Sequence, residues 1–113
     1  MDRDRVAELF ASFGRVDVRR MFGGVGIYAD GLMFALGHDE DVYLKADELT
    51  RAEFEAEGQE PFTYETRTGR HALTSYWRMP DRLHDEPDEL ARWAGAALAA
   101  ARRAQAGRTR KRR

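Results

Sequence analysis

The dipeptide Asp30-Gly31 constrains this chain more than any other feature, because it stands between two apolar runs, residues 25–29 and 32–36. A two-residue hairpin of type I′ needs positive φ at both central positions, and Asp-Gly supplies them at low cost. The two runs are therefore read as paired antiparallel strands. Upstream, Val16, Val18, Arg20 and Phe22 alternate with Asp17, Arg19 and Met21, which is the period of a strand. Gly23-Gly24 interrupts that alternation and marks a bend or bulge. Downstream, residues 37–41 form a polar turn, and Val42-Tyr43-Leu44-Lys45 is a further strand. Residues 17–45 thus read as an antiparallel meander of four strands.

Helical patterns frame the meander. Val6, Leu9, Phe10 and Phe13 share one face of a first helix, with Asp2 as N-cap and Gly14 as stop. Asp47 is expected to cap a second helix running to Glu57, closed by Gly58, with the thin apolar face Leu49, Ala52, Phe54 and Ala56. Residues 61–64 and 72–78 are strand-like and flank a turn at Thr68-Gly69-Arg70. Leu90, Trp93, Ala94, Ala97, Leu98 and Ala101 then keep helical spacing over three turns, opened by Pro87, with Asp88 and Glu89 at the positive end of the dipole and Arg102 and Arg103 at the negative end. The order α-β-β-β-β-α-β-β-α predicts an α+β domain: one antiparallel sheet, a meander plus a hairpin, with helices packed on one face.

Charge divides the chain. Residues 1–101 hold 12 Lys/Arg and 20 Asp/Glu, a net of −8; residues 102–113 hold 7 Lys/Arg and no acid. The body should repel phosphates, and the end should attract polyanions. The expected division is a folded domain over 1–105 and a disordered Arg-rich tail over 106–113. The absence of cysteine removes disulfides and thiolate metal sites. No apolar run approaches the ~20 residues that cross a bilayer, and the charged N-terminus lacks a secretory pattern. The expectation is a soluble, cytoplasmic, bacterial protein.

Five segments resemble the N-terminal domain of the TfoX/Sxy family. They are Arg20-Met21-Phe22-Gly23-Gly24, Asp30-Gly31-Leu32-Met33-Phe34-Ala35, Val42-Tyr43-Leu44-Lys45, Pro61-Phe62-Thr63-Tyr64 and Ser75-Tyr76-Trp77-Arg78-Met79-Pro80, followed by a last helix with Trp93-Ala94. The family's named members regulate natural competence. The resemblance implies action beside a cyclic-AMP-receptor-type activator at particular promoters, commonly with a second, helical domain that 113 residues do not accommodate.

Residues that could carry a function are cationic or aromatic. Arg20, Tyr43, Lys45, Tyr76 and Arg78 lie in strand-like segments and would make a basic-aromatic surface if they shared the open face. Alternation puts Tyr43 and Lys45 opposite Val42 and Leu44, and Tyr76 and Arg78 opposite Leu73, Ser75 and Trp77; one of Tyr76 and Trp77 should be exposed. Arg20 fits less well, since its partners Val18 and Phe22 look inward. The plainer reading is that these long side chains cover the sheet and snorkel to water. Gly23-Gly24-Val25-Gly26 lacks the context of a phosphate loop. His38-Asp39-Glu40-Asp41 matches no calcium loop and reads as a solvated turn. In the tail, Arg108, Arg110, Lys111, Arg112 and Arg113 could neutralise phosphates and give weak, salt-sensitive nucleic-acid binding.

The expected function, implied through the resemblance, is a non-enzymatic regulatory domain acting by protein–protein contact in transcription regulation, with no cofactor and no metal. Two alternatives stand beside it: nucleic-acid association through the tail, and a small anionic ligand or an enzymatic reaction at Arg20, Lys45 and Arg78.

Overall fold

A computed structural model describes residues 1–21 and 23–111, with side chains given as far as residue 108 apart from Phe22. Helix α1 (Arg3–Leu9) starts where the Asp2 carboxylate accepts the Arg5 N–H at 2.8 Å. Four strands follow, β1 (Asp17–Met21), β2 (Gly24–Ala29), β3 (Leu32–His38) and β4 (Asp41–Lys45), then α2 (Arg51–Ala56), β5 (Pro61–Thr66), β6 (Gly69–Arg78), a 3-10 turn (Asp81–Asp85) and α3 (Pro87–Lys111). The strands form one antiparallel sheet in the order β1-β2-β3-β4-β6-β5. The α+β architecture and the element order are those expected from the sequence.

Local chemistry accounts for the turns. Asp30 and Gly31 take φ of 51° and 76°, closing a tight hairpin between Ala29 and Leu32. Met21 pairs with Gly24, the first residue of β2, so β1 and β2 form a hairpin, and Gly23 takes a positive φ of 76°. Gly24 is constrained by space as well. A Cβ there would strike the Gly37 carbonyl oxygen and lie 3.4 Å from His38 Cα, both on the neighbouring strand. Asp47 sits ahead of α2 and does not cap it. Its carboxylate accepts the Leu49 N–H and its carbonyl accepts the Thr50 and Arg51 N–H groups, so a separate turn precedes the helix, which starts after Thr50. The β5–β6 turn falls at Arg67-Thr68, one residue before the expected place, because Thr66 pairs with Gly69.

One face of the sheet carries the core. Ile27, Phe34, Val42 and Leu44 are buried there against Val6 and Phe10 of α1 and Leu90, Trp93, Ala97 and Leu98 of α3. The Phe34 ring meets Phe10 edge-on at 5.5 Å, and Phe54 of α2 meets Trp93 edge-on at 5.0 Å. α3 continues to Lys111, beyond the 105/106 boundary at which a disordered tail was expected. Ala, Gln, Arg and Lys are strong helix formers, and one glycine costs only about 1 kcal/mol in a helix interior, so Gly107 does not end it. Arg102 meets Asp30, and Arg103 Nε meets Asp47 Oδ2 at 2.7 Å, tying the helix to two turns at one end of the sheet. Arg112 and Arg113 lie outside the described residues. No described helix is long and apolar enough to cross a membrane.

Candidate functional site

The sheet face away from the helices holds most of the polar residues singled out above. Directly opposed residues on antiparallel neighbours share a face. Tyr43 opposes Arg78, and Lys45 opposes Tyr76, whereas Leu44 opposes Trp77 on the core side. Tyr43, Lys45, Tyr76 and Arg78 therefore stand together on the open face. Arg20 does not join them. It opposes Val25, a core residue, on the far edge strand, so β1 presents Arg19 and Met21 to the open face. The inward partners Val18 and Phe22 already argued against Arg20; the neighbouring Arg19 carries the outward parity.

The four side chains do different things. Arg78 Nη2 donates to Asp41 Oδ1 at 3.0 Å and to Asp81 Oδ1 at 2.9 Å. The hydrogen bond to Asp41 chiefly raises the Arg78 pKa, so this guanidinium is engaged within the fold. The Tyr43 ring lies edge-on to Phe62 at 4.9 Å, and burial raises its hydroxyl pKa. The Tyr76 hydroxyl donates to the Met33 carbonyl at 3.0 Å, and burial pushes its pKa up to about 12. Lys45 Nζ sits 4.9 Å from the centre of the Tyr76 ring, a contact worth about 0.5–1 kcal/mol at an exposed site. Its pKa is lowered, first by burial and then by Arg108 nearby on α3.

Tyr76 and Trp77 are both buried, against the expectation that one would be exposed. Trp77 fills the core beside Phe54 and donates its indole N–H to the Thr74 carbonyl. Tyr76 lies along the sheet toward β3, with Lys45 over its ring. Leu73 also departs from its expected side. Pro61 opposes Trp77 but Phe62 opposes Leu73, so the β5–β6 register breaks between Pro61 and Phe62. The break carries Leu73 to the open side.

The outer part of β5–β6 and strands β1–β3 enclose a cleft of about 960 Å³. Met21, Met33, Leu36, Phe62, Tyr64 and Leu73 give it an apolar lining. Leu73 is 36% exposed and Tyr64 44% exposed. At one end Gly26 makes room for a convergence: Met21 Sδ, Met33 Sδ and a Tyr28 ring carbon all lie within 2.8–3.0 Å of where its Cβ would stand. Arg19 lies over the Tyr28 ring, 4.8 Å from its centre. The sequence reading missed the cleft because its walls come from strands far apart in the chain. The alternation of Phe62 and Tyr64 was the only available sign.

Elsewhere, His38-Asp39-Glu40-Asp41 is a hairpin turn, with His38 opposed to Asp41. Asp41 is bound to Arg78 and Glu40 to Arg5. No group of three or more metal-ligating side chains occurs among the described residues. In α3 Arg108 is exposed; Arg110 and Lys111 are within the helix.

The sequence pattern of the TfoX N-terminal domain matches residues 8–101, from within α1 to the last buried turn of α3. The chain belongs to the TfoX N-terminal domain family. A curated relative, the DNA transformation protein TfoX1 of Aliivibrio fischeri, is 30% identical over 87 residues, covering 77% of this chain and 41% of the relative. The chain thus spans about two fifths of that relative's length. The cleft and the Lys45–Tyr76 pair lie within the matched TfoX segment, and the basic end of α3 beyond Ala101 lies outside it.

Proposed function

We propose that this domain is a non-enzymatic regulatory module that binds a protein through the cleft on the open sheet face, in transcription regulation related to competence. The observation that carries this reading is the cleft itself, an apolar concavity whose mouth leaves Tyr64 and Leu73 exposed. Apolar surface of that kind is characteristic of a contact site. The methionines in its lining favour it further, because unbranched thioether side chains adapt to the side chains of a partner. Small-ligand chemistry has less support: Arg78 is engaged by Asp41 and Asp81, and Arg20 is on the other face. The partner proposed is a transcription activator of the cyclic-AMP-receptor type, as the resemblance of the five segments implies.

Affinity capture from the native extract, with nuclease and without, tests this reading. Leu73→Asp is expected to reduce the captured activator at least tenfold while the melting temperature stays near that of the parent, since changes at exposed positions commonly stay within about 0.5 kcal/mol. Removal of residues 108–113 is expected to leave at least half of the capture intact. Capture that disappears with nuclease or with the tail, and survives Leu73→Asp, would transfer the function to the basic end of α3 and to nucleic acid.

A further inference from the structure

Several arginines are satisfied internally. Arg78, Arg82, Arg92, Arg102 and Arg103 each meet at least one carboxylate. Several other cations are not, and of these Arg19 and Lys45 are the two that share a second feature. Each rests on a tyrosine ring, and neither has a carboxylate within 4 Å among the described residues. The two cation–ring pairs belong to one surface. Tyr28 opposes Met33 across the β2–β3 ladder, and the Tyr76 hydroxyl is bonded to the Met33 carbonyl, so Arg19, Tyr28, Tyr76 and Lys45 form a row across the sheet. Met33, at the middle of that row, also lines the apolar cleft, as does Met21, whose sulfur converges with Tyr28 over Gly26. Exposed Arg108 lies at the same end of the row, where its charge, after burial, contributes to lowering the Lys45 pKa.

We infer that the open face is a two-part seat for one segment of a partner protein: apolar side chains fill the cleft, and a following run of Asp or Glu lies along Arg19, Lys45 and Arg108. This inference rests on the reading of the cleft as a protein-binding site. Charge complementarity selects the acidic run, because carboxylates would meet cations that lack such partners in the free domain. It also argues against nucleic acid as the occupant. Residues 1–101 carry a net charge of −8, which opposes a long polyanion, whereas a few carboxylates following an apolar anchor meet only the local cations. Arg and Lys divide the work: the Arg19 fork suits a carboxylate in two-point contact, and the Lys45 ammonium acts as a point charge.

The test uses the full chain and two labelled synthetic peptides, each with a Phe-x-x-Leu anchor, one followed by four glutamates and the other by four glutamines. The glutamate peptide is expected to bind at least tenfold more tightly at low salt, with the difference shrinking in 0.5 M NaCl as the charges are screened. Arg19→Gln with Lys45→Gln should erase the difference, leave the affinity for the glutamine peptide unchanged and keep the melting temperature. Leu73→Asp should weaken both peptides. Equal binding of the two peptides, still sensitive to Leu73→Asp, would overturn the acidic seat and leave the cleft reading standing. Binding of neither peptide, or binding indifferent to Leu73→Asp, would overturn both. A duplex oligonucleotide bound more tightly than the glutamate peptide, and lost in the Arg19/Lys45 variant, would overturn the acidic seat in favour of phosphate.

Discussion

Trp93→Ala is expected to remove a large part of the stability of this domain. Trp93 is 3% exposed and lies where α3, α2 and the sheet meet. Its ring takes the edge-on contact with Phe54, its indole N–H donates to Glu89 at 3.0 Å, and Arg92 lies 5.7 Å from the ring centre. Truncation of a buried aromatic of this size costs about 3–5 kcal/mol, against about 5–15 kcal/mol for a whole domain. The two packed helices cannot close the cavity without moving α2, which has six residues and only Phe54 buried. Thermal or urea unfolding measures the loss. A midpoint within a degree or two of the parent would mean that Trp93 is not the keystone of the α2–α3 contact.

Gly24→Val is expected to be the second most damaging change. A Cβ at this position meets backbone, the Gly37 carbonyl group and His38 Cα, and backbone in a paired strand cannot rotate away as a side chain can. Relief requires β2 and β3 to separate at their end, beside the cleft that Gly24, Gly37 and His38 help to line. Overpacking of this kind costs about 1–3 kcal/mol, and the upper part of that range is expected here because ladder bonds are lost as well. The change should therefore lower stability and partner capture together, unlike Leu73→Asp, which should lower capture alone. Urea unfolding separates the two cases. A Gly24→Val protein with parental stability would show that the strands are not in such close approach.

The difference between the two sites shows how far the sequence could be read. Asp30-Gly31, the Asp2 cap and the spacing from Leu90 to Ala101 are local signals. Each satisfies a backbone or packing requirement within a few residues, and the structure follows them. Strand parity worked for Tyr43, Lys45, Tyr76 and Arg78 because β4 and the end of β6 pair without interruption. It failed for Leu73, where the β5–β6 register breaks, and a register break leaves no mark in a pattern of alternating residues. The Gly23-Gly24 signal was present, but glycine alone does not tell a bend within one strand from the start of a new one, and Gly24 opens β2. The second helix begins later than expected because Asp47 can satisfy either a helix end or a free-standing turn, and its bond to Arg103, 56 residues away, helps to hold it in the turn. The cleft was the least legible feature: Met21, Met33 and Phe62 look like ordinary core residues until the fold brings them to the face without helices.

A protein partner seated on the open face of the sheet would be within crosslinking distance of Leu73. Site-specific photocrosslinking in cells tests that contact most directly, with a benzophenone side chain placed at Leu73 or, as control, at Leu49. Leu49 is 75% exposed but lies in the turn before α2, away from the cleft lining. A discrete protein adduct is expected from position 73, absent or at least tenfold weaker from position 49, and unchanged after nuclease treatment. Equal adducts from both positions, or a position-73 adduct that nuclease removes, would contradict a protein contact on this face.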